Sequence, residues 1–198
     1  MINMVFAIYF FVAWISVFIF VIMPKKLSFM QNSFVILLTI IINMNWSWII
    51  YQELNLIKLS TQVMDYTSFL INRTIAVPFI VVITMNLLKI SRSFSQSILV
   101  LVFSTSFLTL LSLGGIYFNV IEYIHWNFVL DFFYFLILNI VGYLFLLFVN
   151  LTENKEVRSQ WCYGKALIKM KFLYLYSVWL LTLSCCFYQE YLLEELLY

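Results

Sequence analysis

The chain has 198 residues, of which 65% are hydrophobic and 10% charged, with a net charge of +2. Soluble domains carry about 25% charged residues, so this complement is too small to wet a 23.6 kDa globule, and the slight positive balance leaves no electrostatic footprint for nucleic acid. A mean hydropathy of +1.02, with 13 Tyr and 6 Trp, suits a protein that meets two membrane interfaces, where amphipathic rings settle.

A helix crosses a hydrocarbon core with about 20 apolar residues, and six such segments are predicted in chain order. The first covers 4–23 and is closed by Pro24. It has no preceding positive charge, it exceeds the apolar core of a signal peptide, and its lysines follow it. It therefore reads as an uncleaved helix with its N-terminus outside. The second segment covers 33–51 and the third 69–88, with Pro78 predicted to kink the latter. The fourth covers 98–118, with Gly114 and Gly115 near its end, and the fifth covers 128–149. The sixth, 172–188, is the shortest; the alternative is five spans and an interfacial C-terminal helix. Continuous apolar runs without alternation argue against a barrel of strands. The expected fold class is all-α: a polytopic transmembrane bundle forming one integral membrane domain, with no soluble domain before or after it.

Basic residues orient the bundle. Lys25 and Lys26 fall between the first two segments, Lys89 and Arg92 between the third and fourth, and Lys155, Arg158, Lys165, Lys169 and Lys171 between the last two. Only Lys58 and Arg73 fall opposite. The positive-inside rule places the richer loops in the cytoplasm, so MPKKLSFMQN (23–32) is a short cytoplasmic turn. Of the outer loops, QELNLIKLSTQVMDY (52–66) is predicted to hold a short helix in the interface plane. NVIEYIHWN (119–127) is apolar enough to press against the bilayer.

Ionisable groups inside a membrane are functional candidates by default, and the six segments put none at a span centre. Arg73 falls about one turn inside the third, where its side chain is expected to snorkel to the outer headgroups. The sharper reading is an ion pair with Asp65, Glu53 or Asp131. Glu122, His125 and Trp126 share a face if their loop is helical, and a histidine beside a carboxylate is suited to proton transfer or metal ligation. With one histidine in the chain and no HExxH spacing, no metal or other cofactor is expected. Asn43, Asn45, Asn86 and Asn139 fall within spans, where amides bond between helices; Asn43 and Asn139 are also candidates to line a polar path. The stretch 153–171, with Lys155, Arg158, Trp161, Lys165, Lys169 and Lys171, is suited to anionic lipid or to a cytoplasmic partner. Cys162, Cys185 and Cys186 lack CxxC spacing and read as soft apolar residues. The phosphate-cradling motifs GxxxxGK[ST] and GxGxxG are absent, and so is GxSxG.

MPKKLS after the first span and EYIHWNFVLDFFYF (122–135) resemble small multi-pass membrane proteins of endospore-forming Firmicutes. The resemblance covers residues 1–150 and implies a bacterial cytoplasmic (inner) membrane location; QEYLLEELLY (189–198) departs from that group's five-span pattern. The leading functional expectation is a non-enzymatic subunit or accessory component of a bacterial membrane complex, in contact with lipid and with another membrane protein or further copies of itself. The alternative is a small transporter or channel with its path between helices two, three and five. A membrane enzyme using Glu122, His125 and Asp131 ranks third.

Overall fold

The computed structural model describes residues 2–91 and 93–156. By contacts the chain divides into two compact units, Met1–Leu147 and Phe148–Tyr198, and the second is described only as the continuation of a helix to Glu156. The predicted sixth span, residues 157–171 of the basic stretch and the three cysteines lie outside the described residues.

Among the described residues, five helical segments are long and apolar enough to cross a membrane: Met4–Ile22, Phe29–Glu53, Val63–Ile90, Phe94–Tyr117 and Phe128–Asn150. The first is α1 (Ile2–Ile22). The second is α2 (Phe29–Ser47), widening into a π turn at Trp48–Glu53. The third joins α3 (Val63–Ile71) to α4 (Val77–Ile90) through a second π turn at Asn72–Ala76. Then come α5 (Phe94–Tyr117) and α6 (Phe128–Glu156). Burial reaches 56% in the third span against 22–28% in the others, so this span is the bundle's axis. Around it Val35, Val81, Val82, Met85, Leu108 and Leu138 form the principal core.

The third span begins six residues earlier than the apolar run suggests. Asp65 and Ser68 interrupt that run, yet both are buried, and an acid suits the first turn of a helix because the N-terminal amides carry partial positive charge. Ser60 Oγ donates to Asp65 Oδ2 at 3.1 Å. Pro78, expected to kink the span, follows the π turn, where Val77 N–H reaches back five residues to Asn72 O. Widening of the helix at this point accommodates a residue that has no amide proton and whose ring crowds the turn before it.

The turn that carries Lys25 and Lys26 is held from the third span. Asn86 Oδ1 accepts from the amides of Lys26 and Leu27 at 3.0 and 3.2 Å, and its Nδ2 donates to Asn32 Oδ1 at 2.7 Å. Ser28 caps α2 in a reciprocal capping box with Gln31, which satisfies helix-end amides without water. Lys25 Nζ lies 4.8 Å from the centre of the Phe20 ring.

The loops 52–66 and 119–127 overturn one expectation and leave a condition unmet. No interface helix fills 52–66, and 119–127 is not helical. Instead β1 (Ile57–Leu59) pairs antiparallel with β2 (Ile121–Tyr123), Lys58 standing opposite Glu122. Both strands are entered through an asparagine in the left-handed region, Asn55 at φ 48° and Asn119 at φ 57°. At the second, Asn119 N–H bonds Ile116 O and Val120 N–H bonds Gly115 O, both at 2.9 Å. This is a Schellman closure, which uses the orphan carbonyls of a helix end. A Cβ on Gly115 would stand 2.9 Å from Ile121 Cγ1 and 3.0 Å from Tyr9 Oη, so its bare backbone lets the ribbon sit close to α5. Since β1 links the second and third spans and β2 the fourth and fifth, their pairing fixes both connections at one end of the bundle.

Candidate functional site

Beneath this ribbon lies a cavity of about 60 Å3, lined by residues from all five spans and both strands. That is room for a few waters or a similarly small solute, far below the roughly 300–1,000 Å3 of sites for drug-sized ligands. Its two charged lining residues are Arg73 and Asp131, respectively 8% and 7% exposed.

Arg73 does not snorkel. It sits about 15 Å along the third span at 1.5 Å per residue from Val63, and it is buried against α2. Its Nη2 donates to Asn43 O and, at 3.5 Å, to Met44 O. These carbonyls belong to the last turn before α2 widens, where the regular ladder of helix bonds is disturbed. The Asn43 side chain completes a clasp: Nδ2 donates to Arg73 O at 2.8 Å, and Oδ1 accepts from Tyr134 Oη at 2.7 Å. The guanidinium lies 5.7 and 5.4 Å from the ring centres of Tyr51 and Phe69, within the range of cation–π attraction. Trp46 stacks on Tyr134 at 5.4 Å, so the second, third and fifth spans meet around the cation. The apolar run sets Arg73 about one turn inside the third segment; because the helix begins at Val63, it lies ten residues from the start instead.

Asp131, in the first turn of α6, is held by three donors. Trp126 Nε1 donates to Oδ1 at 2.7 Å, while Ser112 Oγ and Tyr123 Oη both donate to Oδ2. One donor comes from α5, one from β2 and one from the loop that follows β2, so this carboxylate ties the ribbon to the bundle. Burial, and then the bond to Asp131, push the Tyr123 hydroxyl well above its ordinary pKa, because ionising it would place a second negative charge beside the first. Asn72 also lines the cavity. Its Oδ1 is buried and has no hydrogen-bond donor among the described residues.

The other sequence candidates separate from this cluster. Glu122 and Lys58 are exposed on the ribbon's outer side, since alternate strand residues face opposite ways, and His125 is exposed as well. Glu122, His125 and Asp131 therefore do not converge. Asn139 is buried along α6, where Nδ2 bonds Phe135 O at 2.9 Å and Oδ1 is unmatched among the described residues; it bonds within its own helix and does not line the cavity. Asn45 likewise bonds Ile41 O within α2. Lys155 falls in the last turns of α6, and Arg158, Trp161, Lys165, Lys169 and Lys171 lie outside the described residues. Among those residues no group of three or more His, Cys, Asp or Glu is placed to hold a metal ion.

Sequence reasoning missed Ser112, Tyr123 and Tyr134, and grouped Trp126 with Glu122 and His125 rather than with Asp131. A signal for the ribbon was present: NLIKL (55–59) and NVIEY (119–123) share an asparagine, an apolar pair, a charge and a further apolar residue. No family model, curated protein or solved structure matches this chain.

Proposed function

We propose that this integral membrane protein binds and passes a small polar solute along a route between its second, third and fifth spans. The observation that carries the reading is the burial of Arg73 and Asp131 on one cavity at the meeting of those spans. Burying charge inside a membrane protein is costly and concentrates where ions or solutes are handled. The two π turns flank the same cavity, and such distortions are common at functional sites. In this reading Arg73 and Asp131 hold the solute, Asn43 positions Arg73, and the ribbon closes the outer end. The same proposal places the chain in a bacterial cytoplasmic membrane with its N-terminus outside. That placement rests on the basic turns and on the resemblance carried by MPKKLS and EYIHWNFVLDFFYF.

Vesicles of phosphatidylethanolamine and phosphatidylglycerol bearing the protein test it. After hyperosmotic shock with a panel of small polar solutes, they should re-swell faster than empty vesicles for at least one solute, and Asp131→Asn should slow that recovery. Recovery equal to that of empty vesicles for every solute would refute the reading.

An accessory-subunit role is the second reading. It is favoured by a groove along α5, lined by Ser95, Ile98, Leu99, Val102, Phe103 and Ser106. Ile98, Leu99, Val102 and Phe103 leave an exposed apolar groove there that suits a neighbouring helix. Gentle extraction followed by mass spectrometry tests it: a stoichiometric second protein supports the reading, and a lone chain or homo-oligomer counts against it.

A further inference from the structure

We infer that the cavity is built for a compact zwitterion, a solute carrying an acidic group and an ammonium group a few bonds apart. The inference rests on the proposal that the cavity is a solute site and names the class of solute.

The protein supplies one cation and one anion to the cavity lining, Arg73 and Asp131. These two formal charges balance, and they are set in a wall that also carries Ile50, Ile57, Val77 and Ile121. Tyr134 lies three residues after Asp131 and bonds Asn43, whose backbone carbonyl accepts from Arg73. Arg73 and Asp131 are thus linked through Asn43 and one turn of α6. In a low-dielectric interior a solute with net charge leaves one charge uncompensated, which is far more costly than in water. A solute with both charges opposes each wall charge and leaves the total unchanged.

Asn72 adds an independent indication. Its buried carbonyl oxygen, next in sequence to Arg73, has no donor among the described residues. A buried acceptor left unmatched costs about 1–3 kcal/mol, and a simple inorganic anion carries no donor to offer it. An ammonium does. The cavity of about 60 Å3 limits the solute to the scale of the smallest amino acid. Trp126, whose ring N–H bonds Asp131, adds an aromatic wall beside the anion, and ring faces attract an ammonium.

Equilibrium binding of radiolabelled glycine, acetate and methylammonium to the full-length protein in lipid nanodiscs tests the assignment, since the last two probes are the halves of the first. Glycine should bind at least tenfold more tightly than either half. Asp131→Asn should weaken glycine at least tenfold and turn the preference toward acetate, because Arg73 then acts alone. A merely structural Asp131 would not invert the preference. Glu122→Gln, on the ribbon's outer side, should bind as the parent does, and a monodisperse elution profile confirms that each variant is folded. If acetate or methylammonium binds as well as glycine, the zwitterion assignment falls and the solute site stands. If folded parent protein binds none of the three, the zwitterion assignment falls, and re-swelling no faster than empty vesicles would remove the solute site as well.

Discussion

At the residue scale, the two buried charges are held by different means. The Arg73 guanidinium donates to backbone carbonyls of α2, a partner set that follows from where α2 widens. Asp131 relies on side-chain donors gathered from α5, the ribbon and the loop after it, so it is sensitive to single substitutions. Tyr123→Phe removes one donor and leaves the ring, and should lower stability by about 1–3 kcal/mol, read as a lower unfolding midpoint in detergent. The raised Tyr123 pKa also sets a pH dependence. Below about pH 10 the hydroxyl keeps its proton in both folded and unfolded chains. Above that the unfolded chain loses the proton first and the folded chain retains it, so stability falls as pH rises. Thermal unfolding between pH 9 and 11 should show this decline in the parent and a shallower one in Tyr123→Phe; equal slopes would show that Tyr123 does not carry it.

At the element scale, the ribbon stands at one end of the cavity and depends on how two helices stop. Asn119 ends α5 with a left-handed residue at φ 57°, a conformation costing roughly 1–2 kcal/mol for ordinary side chains and little for glycine. Asn119→Gly should therefore unfold close to the parent, whereas Asn119→Val should be less stable by about 1–2 kcal/mol and label faster at a cysteine placed at Ser112. Equal labelling in the two variants would show that this turn does not hold the ribbon down. At the other end, the side chain of Asn86 binds two amides of the lysine turn and the side chain of Asn32, so the hairpin of the first two spans is fastened by hydrogen bonds as well as by charge placement. Only part of this was legible in the sequence. Asn86 was recognisable as an interhelical amide, but its partner Asn32 fell outside the apolar run that marked the second span.

At the scale of the whole molecule, both exceptions to the positive-inside count acquire physical reasons. Lys58 stands opposite Glu122 on an exposed ribbon, and Arg73 is buried within the bundle, so neither counts strongly against the proposed orientation. With Cys162, Cys185 and Cys186 changed to serine, a cysteine at Lys58 should react with an impermeant maleimide in intact cells, and one at Lys26 only after permeabilisation. The reverse pattern would invert the orientation. The central place of the third span is likewise a property of the whole. Its hydropathy matches that of the second span, yet among the described spans it alone is more than half buried, because helices on several sides pack against it.

By itself the sequence determined that this is a helical membrane protein, where four of its five described spans lie to within a few residues, and which loops are basic. Those properties depend on local composition, and a bilayer reads composition directly. Only the tertiary structure decided that Arg73 and Asp131 share a cavity, that Glu122 and His125 stand apart from it, and that two outer loops form one ribbon. Fifty-eight positions separate Arg73 from Asp131 in the chain, and no local pattern encodes a contact made across helices. The start of the third span was hidden for the same reason: Asp65 and Ser68 look like loop residues until burial and a donor from Ser60 show how a helix accommodates them.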